Sequence, residues 1–135
     1  MKVLKFGGTS VANAQNIELV LNIVAQKAKK SKLIVVVSAL SGVTDMLINT
    51  ATKAASKDLS YKENLVELKK MHSDTIQLLL DKKDAVFLKS IDAQINQLET
   101  LLDGCFLLGE LSPRTSDAIL SFGESLSSQI IAKAL

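Results

Sequence analysis

The sequence is poor in the residues from which proteins most often build metal centres and covalent nucleophile sites. It contains one cysteine, Cys105, one histidine, His72, one proline and no tryptophan. A single cysteine excludes an internal disulfide and is typical of the reducing cytoplasm, which is the location we expect. No histidine, cysteine and acidic residues are grouped with the spacing of a metal site, and we assign no metal ligand.

Long apolar runs and strong charge are also missing. The longest unbroken aliphatic run, Leu33–Val37, is far too short to cross a bilayer, and we find no pattern of a signal peptide. The net charge is +2, and basic residues do not alternate with aromatic ones. We therefore expect no membrane and no nucleic-acid partner. With 135 residues, 47% of them hydrophobic, the chain is long enough for one globular domain with a real core.

The first ten residues combine a strand with a glycine pair. Lys2–Phe6 is predicted to be a short strand, which Gly7-Gly8 ends before a helical pattern begins. A glycine pair lets the backbone approach a ligand closely, and successive amide N–H groups attract an anion. Lys5 places an ammonium at the same strand end, so the stretch suits a phosphate. The alternative is a buried strand followed by a tight turn, since neither standard glycine-rich nucleotide motif is present.

A second strand is predicted after an amphipathic helix that Asn13 can cap. Leu33–Val37 is continuous and β-branched, which is typical of a parallel strand buried on both faces. Strand, helix and strand then form a right-handed βαβ unit. Its two carboxyl-end loops, 7–10 and 38–45, are expected at one edge of the sheet, where ligands bind in open α/β folds.

The 38–45 loop carries hydroxyl side chains that we consider for ligand binding. Ser38, Ser41 and Thr44 are the residues concerned. Helix capping explains two of them equally well, because Ser41 or Thr44 can cap a helix predicted over Asp45–Lys57. The two roles do not exclude each other.

From Leu59 to Leu102 the apolar residues repeat with three- and four-residue spacing, interrupted by Lys82-Lys83-Asp84. This pattern predicts a helical hairpin with a coiled-coil-like seam beside the sheet, which would suit a lid or a dimerisation arm. His72 falls on the apolar seam, where a packed core residue is expected rather than a ligand. Cys105 is expected to be buried and inert, since no base is placed to activate it.

The last predicted helix follows Pro113, which suits a first helical turn. Gly123 and Ser127 lie one turn apart on its apolar face and allow another backbone or a ligand to come close. Glu124 stands at the margin of this face, where a carboxylate needs a cation or hydrogen-bond donors. It can orient a substrate amine or hydroxyl, or it can form an ordinary surface ion pair.

Three motifs together resemble the aspartokinases of the amino-acid kinase family. They are Lys-Phe-Gly-Gly-Thr-Ser-Val at 5–11, Val-Val-Val-Ser-Ala-Leu-Ser-Gly-Val-Thr-Asp at 35–45 and Ser-Phe-Gly-Glu-Ser-Leu-Ser at 121–127. The stretch at 107–115 resembles the kinase part of chains fused to homoserine dehydrogenase. The resemblance implies an α/β fold: the N-terminal part of a three-layer αβα kinase domain with a helical hairpin insertion. We divide it into a βαβα rim (1–57), the hairpin (58–104) and the helix with the Gly-Glu motif (112–135).

The resemblance also implies a reaction and a set of site residues. Aspartokinases use ATP with Mg²⁺ to phosphorylate the side-chain carboxylate of L-aspartate at the start of lysine, threonine and methionine synthesis. Lys5 would be catalytic, and aspartate would contact Ser38, Thr44 and Glu124. The residues expected to bind the ATP phosphates are Lys5, Phe6, Gly7, Gly8 and Ser10.

Three further expectations follow from the resemblance. The protein would be a homo-oligomer, with homoserine dehydrogenase as a fused partner in the parent chain. The family's domain is longer than this chain, so we expect an incomplete catalytic domain without activity of its own. Two alternatives remain open here: a related kinase acting on another acyl or carbamoyl substrate, and a non-catalytic α/β module that dimerises through 59–102.

Overall fold

The computed structural model describes residues 1–80 and 84–135, which form a small parallel sheet and a helical bundle. The strands are β1 (Lys2–Phe6) and β2 (Leu33–Val37). The helices of this described part are α1 (Ala14–Ala28), α2 (Val43–Ala55), α3 (Tyr61–Leu79), α4 (Ala85–Leu108) and α5 (Pro113–Ala134). None of them is both long enough and apolar enough to cross a membrane.

The two strands pair in parallel, with Lys2 opposite Leu33 and Phe6 opposite Val37, and α1 connects them. Beyond the last pair, the Ser38 amide N–H donates to the Phe6 carbonyl at 3.1 Å. The predicted βαβ unit is therefore confirmed. Its carboxyl edge joins the chain after Phe6 to the chain after Val37.

One face of the sheet is open, which corrects the expectation that β2 is buried on both faces. Val3, Ile34 and Val36 are 64%, 47% and 43% exposed, whereas Phe6 and Val37 on the other face pack against the core. Successive strand residues point to opposite faces, so this alternation places the described helices against one face only. The continuous apolar run in β2 does not distinguish that arrangement from a doubly covered strand.

Helix α2 lies at the centre of the bundle and packs against α3, α4 and α5. Its Val43, Thr50 and Ala54 are fully buried. The apolar seams predicted for the hairpin join the same core, so they are covered within this chain rather than left for a partner. Those buried seam residues are Leu65, Leu68, His72 and Ile76 of α3, and Ile91, Ile95, Leu98 and Leu102 of α4.

Side chains tie α3 to α4. The Tyr61 hydroxyl, buried at the start of α3, donates to Asp103 Oδ1 at 2.6 Å, and the tyrosine ring packs against Phe106. Burial and the neighbouring carboxylate raise the pKa of Tyr61 to about 12. Of the interruption predicted at 82–84, only Asp84 lies within the described residues, where it accepts the Phe87 amide N–H and caps α4.

His72 and Cys105 are both in the core, as the sequence predicts. The Nδ1 atom of His72 lies 2.7 Å from the Leu68 carbonyl. A carbonyl oxygen only accepts, so Nδ1 carries the proton and Nε2 is a bare acceptor. Nε2 is buried without a hydrogen-bond partner among the described residues. Burial lowers the pKa of His72 and raises that of the Cys105 thiol.

Candidate active-site rim

The chain leaves β1 through a tight turn built on the two glycines. The Gly7 carbonyl accepts the Ser10 amide N–H at 3.0 Å, and the Gly8 carbonyl accepts that of Val11 at 3.3 Å. Val11 is completely buried and anchors the end of the turn in the core. The turn thus starts at the sheet edge and is fixed at its far end by packing.

Helix α1 holds the same turn from the other side. Asn13 caps α1, as predicted, by accepting the Asn16 amide N–H at 2.9 Å. The Asn16 side chain in turn donates to the Thr9 carbonyl at 2.9 Å. Sequence reasoning missed Asn16, although two asparagines three residues apart at a helix start were a signal available to it.

The turn itself does not require glycine at positions 7 and 8. Neither residue has a φ in the left-handed region, and a Cβ added to either would meet nothing within 4 Å. The described hydrogen bonds also include none donated by the amide N–H of Gly7, Gly8 or Thr9. The backbone therefore offers both open space and donors at the end of β1, which is the arrangement that an anion requires.

Lys5 stands on the open face of the sheet, opposite Val36 in the strand register. Its side chain is exposed, and no salt bridge or hydrogen bond of the described residues involves its ammonium. Phe6 points to the covered face and packs on the core. Lys5 thus lies next to the glycine turn, while Phe6 anchors the strand in the core.

The loop after β2 leads directly into α2, and here the capping prediction is wrong. Helix α2 begins at Val43, and Gly42 occupies its N-cap with a left-handed φ of 80° and no capping side chain. A glycine adopts this conformation without strain, so neither Ser41 nor Thr44 is needed for the cap. Among the described residues the hydroxyls of Ser38, Ser41 and Thr44 form no hydrogen bond.

Helix α5 docks on this loop through its small residues. A Cβ added to Gly123 would lie 2.9 Å from the Ala39 Cβ, closer than real contacts allow. One turn later the buried Ser127 hydroxyl donates to the Ser38 carbonyl at 2.6 Å. Glu124, next to Gly123, is exposed, and the described part of the chain gives it no ion pair.

The structure thus brings the glycine turn, the hydroxyl loop and the Glu124 segment of α5 to the carboxyl edge of the sheet. The links are the Ser38–Phe6 and Ser127–Ser38 hydrogen bonds. No hydrogen bond or salt bridge of the described residues joins Lys5 to Thr44 or Glu124. The same described ranges contain no group of three or more histidine, cysteine or acidic side chains that could hold a metal ion.

Comparison with known proteins identifies relatives along the whole chain. The chain is 37% identical over 134 residues to the maize chloroplast bifunctional aspartokinase/homoserine dehydrogenase 2, covering 98% of this chain but 14% of that protein. It is 34% identical over 136 residues to Arabidopsis thaliana chloroplast aspartokinase 1, covering 98% of this chain and 23% of that protein. These relatives confirm the resemblance to aspartokinases, and because they are chloroplast proteins, a cytoplasmic location stays a prediction.

Solved structures agree in fold. Escherichia coli aspartokinase III in complex with lysine and aspartate, in its T-state, superposes with a TM-score of 0.85 at 25% identity, covering 100% of this chain and 28% of that one. The R-state complex of the same enzyme with aspartate and ADP gives 0.84 at 24% identity, covering 99% and 28%. The model of the amino acid kinase family matches residues 1–135. The chain therefore belongs to the amino acid kinase family.

Proposed function

We propose that this chain provides the phosphate-binding turn and part of the aspartate site of an aspartokinase, the enzyme that phosphorylates the side-chain carboxylate of L-aspartate. The observation that carries the proposal is the turn at Gly7 and Gly8, whose glycines neither the fold nor the local conformation requires. The names of the relatives support it. So do the aspartate and ADP complexes of the bacterial neighbour.

On the nucleotide side, the open amide N–H groups of Gly7, Gly8 and Thr9 bind phosphate oxygens, and Lys5 neutralises charge on the transferred phosphoryl group. ATP supplies that group, with Mg²⁺ accompanying it. Phosphoryl transfer depends on positioning and charge neutralisation more than on a protein nucleophile. Since the described residues form no cluster of metal ligands, we assign no residue of this chain to Mg²⁺.

On the aspartate side, the free hydroxyls of Ser38 and Thr44 donate to a substrate carboxylate. Glu124 accepts the α-ammonium, for which an exposed carboxylate beside a hydroxyl-lined loop is suited. The three residues approach aspartate from two elements, the loop after β2 and helix α5. Their separation therefore depends on how α5 docks.

The two alternative functions receive less support. The apolar seams that would make a dimerising module are buried in the chain's own core. A kinase acting on a different acyl or carbamoyl substrate agrees less well with relatives that are aspartokinases. Assembly into a homo-oligomer and fusion to homoserine dehydrogenase, seen in the maize relative, belong to the proposal.

The test replaces Gly8 by alanine and follows binding of ATP·Mg²⁺ to the ¹⁵N-labelled chain by NMR. The wild-type amide signals of Gly7, Gly8 and Thr9 should shift on titration, and Gly8→Ala should weaken binding at least about tenfold because the new methyl group occupies the phosphate space. Its melting temperature should not fall, since the methyl group meets no neighbour and alanine restricts the unfolded chain.

Ser128→Ala is the matched control for this test. Ser128 is exposed, and its hydroxyl bonds only within its own helix, to the Ser125 carbonyl at 3.0 Å. It should bind ATP·Mg²⁺ like the wild type. Equal affinity of Gly8→Ala and wild type, or shifts confined to residues far from the turn, would refute the phosphate role.

A further inference from the structure

Ser127 differs from Ser121 and Ser128 of its helix in the acceptor of its hydroxyl hydrogen bond, and from Ser125, which reaches the Gln94 side chain, in bonding to backbone. The hydroxyls of Ser121 and Ser128 donate to carbonyls of α5 itself, three residues back. Ser127 is fully buried and reaches out of the helix to the Ser38 carbonyl at 2.6 Å, a distance 0.7 Å shorter than its 3.3 Å contact with the Glu124 carbonyl. Its main hydrogen bond therefore joins two elements that are 89 residues apart.

Gly123 lets the α5 backbone lie close enough to the loop for the Ser127 hydroxyl to bond to the Ser38 carbonyl. Because a Cβ at position 123 would lie 2.9 Å from that of Ala39 and 3.4 Å from a Leu47 methyl group, only glycine lets α5 approach so closely. The helix backbone thus rests on the residue next to Ser38. One turn further, Ser127 closes the contact with a hydrogen bond.

Ser38 is consequently held on both sides of its peptide backbone. Its N–H donates to the Phe6 carbonyl of β1, and its carbonyl accepts from Ser127. Its own hydroxyl has no partner in the described residues and is free for a ligand. Glu124 lies on the same helix, between Gly123 and Ser127, so this contact sets the distance between the Ser38 hydroxyl and the Glu124 carboxylate.

We propose that Ser127 is a positioning residue for aspartate binding, which acts through the Ser38 backbone and does not touch the substrate. The effect on aspartate binding rests on the proposed function. The effect on the mobility of the Ser38 backbone does not. Removing the Ser127 hydroxyl leaves the Ser38 carbonyl without its donor. The loop after β2 then gains freedom relative to α5, and the two halves of the aspartate site lose their fixed separation.

The structural consequence is testable in this chain by hydrogen exchange. Thr50→Val is a matched control, because Thr50 is also fully buried and donates to a carbonyl, that of Met46, at 2.6 Å. Each variant loses one short hydroxyl-to-carbonyl bond and one longer contact, which joins Ser127 to the Glu124 carbonyl at 3.3 Å and the Asn64 side-chain amide to Thr50 at 3.2 Å. Ser127→Ala should speed exchange of the Ser38 amide at least about tenfold more than its loss of global stability alone accounts for. Thr50→Val should speed this exchange only as far as its own loss of global stability does. Equal effects of the two variants would overturn the proposal.

The kinetic consequence is measured in a full-length aspartokinase that carries this segment, well below the melting temperature of each variant. Ser127→Ala should raise KM for aspartate by about five- to twentyfold with KM for ATP changed less than about twofold, the size of one lost orienting hydrogen bond. Thr50→Val should change neither constant. If Ser127→Ala does not fold, Ser127→Cys keeps the side-chain shape with a weak donor and should shift KM in the same direction.

Glu124→Gln separates the two proposals. If Glu124→Gln weakens aspartate binding and Ser127→Ala does not, the positioning role is wrong and the proposed function stands. If neither variant changes KM for aspartate while Ser127→Ala still speeds exchange of the Ser38 amide, the proposed aspartate site is wrong. The Ser127–Ser38 hydrogen bond then has a structural role only.

Discussion

At the scale of single residues, the interior and the rim of this molecule differ in how completely neighbouring atoms surround and hydrogen-bond each residue. Interior groups such as Thr50 and His72 are fixed by neighbours, although the His72 Nε2 atom has no partner in the described core. Rim groups such as Gly8 and Thr44 have open space or free hydrogen-bonding atoms in the described structure. Substitutions in the interior should therefore change the free energy of unfolding. Substitutions at the rim should change ligand binding and leave the free energy of unfolding unchanged.

His72 should make the fold sensitive to mild acid. Its pKa is lower when folded than the ordinary 6.5, so the unfolded chain binds more protons as the pH falls below about 6.5, and the free energy of unfolding decreases there. The contribution of neutral, buried His72 to the free energy of unfolding is fully present above about pH 6.5 and is lost as the pH falls through the folded-state pKa. One proton limits the slope to about 1.4 kcal/mol per pH unit.

Urea unfolding at pH 7.5, 6.5, 5.5 and 5.0 measures this dependence, in the wild type and in His72→Leu. The variant should lose most of the slope between pH 6.5 and 5, whatever its stability at pH 7.5. A wild-type slope that persists in His72→Leu would assign the acid sensitivity to other groups. The carboxylates of Asp58 and Asp84 have lowered pKa values and titrate below this range.

At the scale of elements, α3 and α4 each pack against the central helix α2, and a few side-chain contacts join them directly to each other. The Tyr61–Asp103 hydrogen bond and the Tyr61–Phe106 ring contact lie at one end. The exposed Lys69–Asp92 pair, at 3.8 Å, adds little because solvent screens it. The Tyr61 contacts are therefore the ones whose loss should be measurable.

Tyr61→Phe should lower the free energy of unfolding by about 1–2 kcal/mol, because it removes a buried hydroxyl that donates to a carboxylate and keeps the ring. For a domain of this size, the melting temperature should fall by roughly 3–6 °C. Circular dichroism during heating measures the change, with Lys69→Ala as the control expected to stay within about 0.5 kcal/mol. A stability equal to that of the wild type would mean that the Tyr61–Asp103 bond contributes nothing net.

The sequence predicts these elements well where its pattern is local, and less well where distant residues decide. Apolar spacing predicts the helices, and the β-branched run predicts β2. Helix α2 was expected from Asp45 and starts at Val43, because Gly42 takes the N-cap in a left-handed conformation. The open face of β2 is not predictable from its sequence. A continuous run of Leu, Ile and Val occurs both in strands that are buried on two faces and in strands that are buried on one.

The same distinction applies to the rim. The parallel βαβ rule places the loops at 7–10 and 38–45 on one edge, and the structure has them there. Small residues at 123 and 127 indicate a close approach, but no local pattern names Ser38 as the partner of Ser127. That contact depends on how α5 returns to the sheet after α3 and α4. The binding roles of Lys5, Ser38, Thr44 and Glu124 stay predictions.

At the scale of the whole molecule, the chain covers only a small share of the length of its relatives. It spans 14% of the maize relative's length and 28% of the bacterial enzyme's. Within the described residues, both strands are edge strands, and one sheet face carries exposed Val3, Ile34 and Val36. Exposed edges of this kind favour association with other strands.

This chain by itself should therefore have no measurable aspartokinase turnover. In an aspartyl-hydroxamate assay with ATP, Mg²⁺ and L-aspartate, we expect product at the level of the no-enzyme blank, because under the proposed function this chain would supply only part of the contacts to each substrate. A full-length aspartokinase assayed in parallel is the positive control. Turnover by the 135-residue chain within about tenfold of that control would show that the chain holds a complete site.

The central position of α2 has a consequence for inactivation by heat. The loop after β2 runs straight into this helix, whose first residue, Val43, is fully buried against the rest of the bundle. At its other end the loop is tied to α5 by the Ser127–Ser38 hydrogen bond, so while that bond is intact the loop is held by the bundle on both sides. On warming the wild-type chain, exchange of the Ser38 amide and of the α2 amides should then rise at one temperature, with no stage in which the loop is loose and α2 is still folded.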